Sequence, residues 1–311
     1  MNQDKRLFIA APRGWCAGVE RAIEILDVAL ERLTPPIYVR REIVHNKTVV
    51  ETYKARGVRF IDEIDTAPDN ATVIFSAHGI SPEVRRTADK RGLTVIDATC
   101  PLVTKVHIEV IRYIERGFTV IYVGHKNHEE AVGVLGEAPA SLHIIETEAD
   151  ALAYRPPSDK LAALTQTTLS VDDTKKIIAI LKQRFPAMEM PAKEDICYAT
   201  TNRQEAVKRL IKDHAIELLY VIGSKNSSNS NRLCEVAETM GVPARLIDSA
   251  ADARGTDWNA KTRVGLTAGA SAPESLVRET ARMLEADGFL SQEVVFEKEN
   301  VSFSLPQELK A

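Results

Sequence analysis

The chain has 311 residues, more than one hydrophobic core usually supports, so about two domains are expected. Its 44% hydrophobic and 27% charged residues are ordinary for a globular protein and exclude a disordered or low-complexity chain. The net charge of −4 argues against general nucleic-acid binding, so an anionic ligand would need a local pocket.

Neither membrane insertion nor a disulfide framework is indicated. No stretch approaches the ~18 uninterrupted apolar residues that a spanning helix needs. The apolar run from Leu7 to Pro12 is too short for a signal-peptide core, so we expect a cytoplasmic protein without a membrane partner. Four cysteines are too few for a disulfide scaffold and are expected to be buried thiols, metal ligands or nucleophiles.

Three cysteines divide the chain into segments of similar length, and each comes just before a predicted helix. They are Cys16, Cys100 and Cys197. Apolar residues recur at helical spacing after each of them, over 19–26, 103–113 and 204–211. An internal repeat is therefore expected.

A buried strand with a central tyrosine is predicted next in each segment. The three strands are Ile37-Tyr38-Val39, Ile121-Tyr122-Val123 and Leu219-Tyr220-Val221. A polar loop follows each strand, over 40–46, 124–130 and 223–231.

A further recurring element begins with a hydroxyl residue and has an acidic residue seven positions later. It covers 76–83, 165–172 and 267–274, and in two copies a proline precedes the acid, as a helix first turn prefers. Alternating helices and strands with short polar links predict parallel α/β sheets, with ligands at the carboxyl ends of the strands.

We therefore expect an α/β protein of three small, pseudo-threefold-related domains in a trefoil-like arrangement. The predicted domains cover residues 1–99, 100–196 and 197–288, and residues 289–311 are expected to form a C-terminal arm that packs back on them. One doubly wound domain with an appendage is the alternative.

Threefold symmetry would bring Cys16, Cys100 and Cys197 together at the axis. Three thiolates there can hold a zinc ion completed by histidine or water, or an iron–sulfur cluster. Structural zinc sites normally use closely spaced cysteine pairs, which this sequence lacks, so the spacing favours a central cluster with one iron open to substrate. An isolated cysteine is more often a buried packing residue, and Cys234 is interpreted in this way because it has no counterpart.

The polar loops carry imidazole, hydroxyl and amide groups that suit a phosphate. Such groups at helix N-termini bind anions without a large net charge, although each is also an ordinary helix-capping residue. The candidate ligand-binding residues are His45, His78, His128, Thr167, Thr168, Ser227, Ser228, Asn229 and Ser271.

Glu130 is the candidate proton donor. It follows a matched strand and lies within a few residues of His128, and a glutamate near a desolvated cluster can hold a raised pKa and deliver protons. Glu129 is its rival for this role. The alternative for either glutamate is an exposed charge at a helix start.

Eight motifs that contain the other candidate residues, apart from those at 128–130, follow one another along the chain. They cover 12–19, 43–46, 76–79, 97–103, 165–170, 197–204, 223–230 and 269–274. Together they resemble the motifs of the 4-hydroxy-3-methylbut-2-enyl diphosphate reductases, the LytB/IspH family. The resemblance extends over roughly residues 7–285, without a missing motif.

The resemblance implies the last step of the methylerythritol phosphate route to isoprenoids. In that step (E)-4-hydroxy-3-methylbut-2-enyl diphosphate is reductively dehydroxylated to isopentenyl and dimethylallyl diphosphates. The resemblance also implies one [4Fe–4S] cluster per chain, held by Cys16, Cys100 and Cys197. It assigns proton delivery to Glu130 and orientation of the substrate hydroxyl to Thr167. It assigns diphosphate binding to His45, His78, His128, Ser227, Ser228, Asn229 and Ser271.

The expected partner is an external electron donor. The sequence has no glycine-rich loop of the nicotinamide-binding type, so a ferredoxin or flavodoxin with its reductase would supply electrons. Two other functions stay open: a redox-neutral iron–sulfur dehydratase of the quinolinate-synthase type, and a non-catalytic iron–sulfur sensor. A redox-neutral dehydratase would form product without consuming electrons. A non-catalytic sensor would keep all its measurable properties when Glu130 is replaced by glutamine.

Overall fold

The computed structural model describes residues 5–253 and 257–309. Residues 1–4, 254–256 and 310–311, which fall in the first and third predicted domains and in the predicted arm, lie outside the described residues. In chain order the strands are β1 (Arg6–Ala11), β2 (Ile37–Arg40), β3 (Arg59–Ile61), β4 (Thr72–Phe75), β5 (Thr94–Asp97), β6 (Thr119–Val123), β7 (Leu142–Ile145), β8 (Leu161–Thr165), β9 (Leu218–Ile222), β10 (Ala244–Ile247), β11 (Arg263–Ala268) and β12 (Leu290–Val295).

Helices connect most of these strands, as parallel pairing requires. In chain order they are α1 (Ala17–Arg32), α2 (Lys47–Ala55), α3 (Pro82–Lys90), α4 (Pro101–Glu115), α5 (Glu129–Leu135), α6 (Glu148–Ala153), α7 (Val171–Arg184), α8 (Tyr198–His214), α9 (Ser228–Thr239), α10 (Ala250–Ala253) and α11 (Glu274–Ala286). In the ranges that the structure describes, none of them combines the length and apolar character needed to cross a membrane.

The first of two compact units contains one parallel sheet. This unit consists of the described parts of Met1–Val19, His45–Thr52 and Tyr198–Ser302. Its strand order is β10-β9-β11-β1-β12. Neighbouring residues of a strand point to opposite faces: Leu7 packs in one apolar cluster with Leu284 of α11, and Phe8 packs in another with Leu210 of α8. Both faces of the sheet are therefore covered by helices.

The second unit contains two parallel sheets. It consists of Glu20–Val44, Tyr53–Cys197 and the described part of Phe303–Ala311. The strand orders are β3-β2-β4-β5 and β7-β6-β8. In the latter sheet, Tyr122 packs in one cluster with Val106 of α4, and Ile121 packs in another with Ile177 of α7. The alternation on β6 shows that this sheet also buries both faces.

The predicted parallel α/β class is confirmed, and so are the recurring elements. The tyrosine-centred runs form β2, β6 and β9, and helices α1, α4 and α8 begin directly after Cys16, Cys100 and Cys197. The hydroxyl-led elements span the junctions of β4 with α3, of β8 with α7 and of β11 with α11. Ser81 and Ser170 cap the first two of these helices through bonds to backbone N–H groups.

Strands β1 and β12 connect parts of the chain that the domain prediction assigns differently. β1, from the predicted first domain, pairs in parallel with β11 of the predicted third domain. β12, from the predicted C-terminal arm, pairs in parallel with the other edge of β1. The structure divides into the two compact units given above. The division into domains at residues 99, 196 and 288 stays a prediction.

Candidate active site

The predicted site residues all lie at the carboxyl ends of strands or at helix N-termini, where parallel sheets bind ligands. The first unit holds Cys16, His45, Ser227, Ser228, Asn229 and Ser271. The second unit holds His78, Cys100, His128, Glu130, Thr167, Thr168 and Cys197.

Each of the three matched cysteines starts a helix and is bonded through its backbone to a loop that follows a strand. Cys16 N–H donates to the Ala270 carbonyl at 3.3 Å, after β11. Cys100 N–H donates to Ala77 at 3.0 Å, after β4, and Cys197 N–H to Thr167 at 3.1 Å, after β8. The sequence analysis treated the three helices and the three hydroxyl-led loops as separate recurring elements. In the structure, a backbone hydrogen bond connects each helix start to one of these loops.

The chemistry of these cysteines fits thiolate ligands of a cluster. All three are of intermediate exposure, and none is joined in a disulfide within the described residues. Cys100 is the N-cap residue of α4, and the other two directly precede α1 and α8. The positive end of a helix dipole favours a negatively charged sulfur, which is the form that binds iron.

Cys234 has a different environment. It lies inside α9 and packs against the apolar cluster that contains Leu233. Burial raises the pKa of its thiol to about 12, so the thiolate is disfavoured. The interpretation of Cys234 as a packing residue is confirmed.

Glu130 lies in the first turn of α5, and its side chain is held from three directions. Thr167 donates its N–H to Oε1 at 2.8 Å and its hydroxyl to Oε2 at 2.8 Å. The Tyr122 hydroxyl donates to Oε1 at 3.1 Å. Glu130 is only 2% exposed, so the carboxyl is fixed in a dry environment.

Burial raises the pKa of Glu130 to about 7, although the hydrogen bonds from Thr167 and Tyr122 lower it in part. A carboxyl with this pKa is present in both protonation states near neutral pH. It therefore has the property that a general acid needs at pH 7.

Glu129, the rival carboxylate, contacts an imidazole and a guanidinium instead. Its Oε2 lies 3.2 Å from Nδ1 of His78, and its Oε1 lies 3.6 Å from the Arg41 guanidinium. Its side chain is more exposed than that of Glu130, at 16%. The neighbouring His128 is the N-cap residue of α5 and accepts the Glu130 N–H through Nδ1 at 3.2 Å. The imidazoles of His78 and His128 and the carboxylates of Glu129 and Glu130 thus lie around the N-terminus of α5, within the second unit.

The Thr167–Thr168 loop is held by Gln166, which is fully buried. The Gln166 amide donates to the Thr168 hydroxyl at 3.0 Å, and its oxygen accepts the His125 N–H at 3.0 Å. These bonds connect the loop after β8 to the loop after β6, the two loops that carry Thr167 and Glu130.

In the first unit, hydroxyl and amide side chains gather at the N-terminus of α9. Ser227 is the N-cap residue and accepts the Ser230 N–H at 3.3 Å. Asn229 accepts the Ala270 N–H through Oδ1 at 2.9 Å, which ties the helix to the loop after β11. The N-terminus of a helix presents backbone N–H groups and a positive dipole end, which together favour an anion.

His45 belongs to the same cluster of the first unit. Its backbone carbonyl accepts the Ser271 hydroxyl at 2.8 Å, and its Nδ1 lies 3.4 Å from the Asn226 amide. The imidazole is thereby brought to the loops that hold Ser227 and Ser271. Five of the nine predicted ligand-binding residues therefore lie in one region of this unit, namely His45, Ser227, Ser228, Asn229 and Ser271.

Besides Gln166 and Arg41, two further residues contact the site without having been predicted. Tyr122 bonds Glu130, and Asn226 contacts His45. The recurrence of a tyrosine in the matched strands was visible in the sequence, but a hydroxyl inside a buried strand has no local signal that identifies its partner. Asn226 lay within the quoted 223–230 motif without an assigned role.

The chain is similar to known proteins over almost its whole length. A sequence model of the LytB protein family matches residues 7–285. The curated 4-hydroxy-3-methylbut-2-enyl diphosphate reductases of Ectopseudomonas mendocina (strain ymp) and Azoarcus sp. (strain BH72) are 53% and 54% identical to it. These matches cover 97% and 99% of this chain, respectively, and 98% of each relative.

Two solved structures are similar as well. The E-1-hydroxy-2-methyl-but-2-enyl-4-diphosphate reductase from Plasmodium falciparum matches with a TM-score of 0.95 and 38% identity, over 98% of this chain and 97% of that chain. A structure of (E)-4-hydroxy-3-methyl-but-2-enyl diphosphate reductase, described as the terminal enzyme of the non-mevalonate pathway, matches with a TM-score of 0.64 and 30% identity. That match covers 91% of this chain and 99% of the other.

Proposed function

Because the chain belongs to the LytB protein family, its activity is that of a 4-hydroxy-3-methylbut-2-enyl diphosphate reductase, and we propose that the residues described above carry out this reaction. The substrate, (E)-4-hydroxy-3-methylbut-2-enyl diphosphate, takes up two electrons and two protons and loses water. The products are isopentenyl diphosphate and dimethylallyl diphosphate, so this is the last step of the methylerythritol phosphate pathway.

Enzymes of this family are iron–sulfur enzymes, and we assign one [4Fe–4S] cluster to Cys16, Cys100 and Cys197. The position of all three thiols at helix N-termini supports this assignment. When bound, the cluster supplies two electrons, one at a time, and a Lewis-acidic iron without a protein ligand. The assignment requires the predicted trefoil-like arrangement of three α/β domains around the cluster, and it is tested through the thiols themselves.

Glu130 is assigned as the acid that protonates the departing hydroxyl, and its contact with Thr167 is the observation that carries the proposal. Hydroxide is a poor leaving group, so proton transfer must accompany the electrons. The pKa of Glu130 near 7 provides a proton at neutral pH, and the Thr167 hydroxyl at 2.8 Å orients the substrate hydroxyl and relays the proton. Tyr122 holds the other carboxylate oxygen in place.

The diphosphate is assigned to the imidazole and hydroxyl groups around the helix starts. Ser227, Ser228 and Asn229 at the N-terminus of α9 are joined by His45 and Ser271 of the same unit. His78 and His128 of the second unit, with Thr168, complete the proposed set. Backbone N–H groups and neutral or protonated imidazoles bind an anion in a chain whose net charge is negative.

We assign the electrons to an external ferredoxin or flavodoxin with its reductase, because the sequence has no nicotinamide-binding loop. A cytoplasmic location is part of the same proposal, since cysteines that are not joined in disulfides and an iron–sulfur cluster suit a reducing compartment.

The test uses protein purified and assayed without oxygen. Cys16→Ser, Cys100→Ser and Cys197→Ser are each expected to lose most of the bound iron and the turnover, whereas Cys234→Ser is the matched control and keeps both. In the parent, about two electrons are consumed for each product molecule, as the reaction balance requires. Turnover without electron consumption would favour a redox-neutral dehydratase, and equal iron loss in the Cys234 variant would contradict the ligand assignment.

A further inference from the structure

A lysine on α4 holds the segment that leads to Cys197. The Lys105 ammonium donates to the Asp195 carboxylate at 2.8 Å. It also donates to the Lys193 carbonyl at 3.0 Å and lies 3.4 Å from the Glu194 carbonyl. A fourth oxygen, Oε2 of Glu109 on the same helix, lies 3.3 Å from the ammonium. One side chain thus contacts three consecutive residues of the segment.

Asp195 is bound on its other side by strand β8. Its Oδ2 accepts the Thr165 N–H at 2.9 Å, and its side chain is only 1% exposed. Two residues later, Cys197 N–H donates to the Thr167 carbonyl at 3.1 Å. The segment carrying Cys197 is therefore attached to the end of β8 by two bonds and to α4 by the lysine.

The helix that carries Lys105 also carries another proposed cluster ligand. Cys100 is its N-cap residue, and its carbonyl accepts the Thr104 N–H at 2.9 Å. Because five residues of a helix form a rigid unit of little more than one turn, the position of the Lys105 backbone fixes that of Cys100. Lys105 and Asp195 thus connect the two cysteine-bearing segments of the second unit.

We propose that the Lys105–Asp195 pair is a brace that sets the position of Cys197 relative to Cys100, so that both thiols are preorganised for the cluster. This inference rests on the proposed function, because it takes both cysteines as ligands. Both residues are positioning residues and contact neither substrate nor the reacting atoms.

An ion pair suits this task better than an apolar contact. A buried pair adds little net stability, because desolvation offsets the attraction between the charges, but its hydrogen bonds fix distance and direction. Residues outside the ligand set that orient metal ligands commonly change metal retention by about 10- to 100-fold when they are replaced. Removing the brace should therefore increase the rate of iron loss more than it lowers the stability of the folded chain.

The test compares the full-length parent with the double variant Lys105→Met/Asp195→Asn, which removes both charges of the pair. The Glu109 carboxylate, which also contacts the Lys105 ammonium at 3.3 Å, remains in the variant and is 18% exposed. The matched control is Lys176→Met/Asp173→Asn, an exposed ion pair on α7 of the same unit with an N–O distance of 3.0 Å. All three proteins are reconstituted with iron and sulfide without oxygen. Three properties are measured: the rate of iron loss to a chelator, the electron paramagnetic resonance spectrum of the reduced cluster, and the unfolding midpoint of the cluster-free protein.

The double variant is expected to lose iron about 10-fold faster than the control and to show a changed spectrum, while its cluster-free form unfolds at a similar midpoint. Iron loss and spectrum equal to those of the control would overturn the brace. If the double variant does not fold, Asp195→Asn alone decides the question by the same measurements, because the amide oxygen still accepts the Thr165 N–H.

The outcome also separates the brace from the proposed function. A parent that holds iron and consumes electrons, together with variants indistinguishable from the control, would refute the brace and leave the function intact. A reconstituted parent without a cluster would refute both.

Discussion

Replacing Glu130 with glutamine tests the proton donor through stability and turnover together. The pKa of Glu130 is about 7 in the folded protein, compared with an ordinary value of 4.5. The folded state therefore binds the proton more tightly than the unfolded chain between these pH values. Stability is reduced progressively as the pH rises from 4.5 to 7, and the full cost of about 3 kcal/mol applies above that range.

Glutamine fits the same contacts without the charge. Its oxygen accepts the Thr167 N–H and the Tyr122 hydroxyl, and its amide group can donate to the Thr167 hydroxyl. We expect Glu130→Gln to be more stable than the parent at pH 8, by up to about 3 kcal/mol. The difference between the two proteins should grow by about 1 kcal/mol from pH 6 to pH 8. Urea unfolding of the cluster-free proteins at the two pH values measures it.

Turnover of Glu130→Gln should fall, although its stability at pH 8 is higher than that of the parent. Because an amide cannot supply the proton, kcat with a chemical electron donor should fall by about 10²- to 10⁴-fold, while iron content and substrate binding are retained. Glu129→Gln is the control: its carboxylate contacts His78, so the effect should be mainly on KM. Equal stability of parent and Glu130→Gln at both pH values, or full turnover in the variant, would refute the reasoning.

Three further substitutions have distinct expected results. Thr167→Val removes a hydrogen bond that lowers the pKa of Glu130, so the alkaline limb of the kcat profile should move to higher pH; an unchanged limb would contradict this. Ser227→Ala removes the cap of α9 and should cost about 1 kcal/mol of stability and raise KM more than it lowers kcat, whereas an unchanged KM would argue against diphosphate binding there. Arg203→Met leaves the carboxylate of Glu299 without its buried guanidinium and should lower the unfolding free energy by about 3–5 kcal/mol; a loss below 1 kcal/mol would show that the pair contributes little.

The fold class and the recurring elements were readable from the sequence because they depend on local patterns. Apolar runs such as Ile121-Tyr122-Val123 must be buried, and helical spacing after Cys100 requires a helix. The pairing of β1 with β11 and β12 could not be predicted from the sequence. It joins residues more than 250 positions apart in the sequence, as in the pairing of Leu7 with Val264, and pairing partners at such separations leave no periodic signal.

The site could be predicted as a set of residue types but not as a set of contacts. His45, Glu130 and the cysteines followed from position and resemblance, yet the sequence left Glu129 and Glu130 as rivals. Their difference arises from burial: one carboxylate faces His78, and the other is enclosed beside Tyr122. Burial depends on tertiary packing, which neighbouring residues in the sequence do not determine.

The position of β1 in its sheet has a consequence for biosynthesis. Its two neighbours begin at Arg263 and Leu290, so β1 cannot pair until more than 250 further residues have been translated. At translation rates of about 5–20 residues per second, this delay is on the order of tens of seconds. During that time Leu7 and Phe8 have no core to enter, and they are candidates for chaperone binding on the ribosome. Strand β1 thus emerges well before the two strands that flank it.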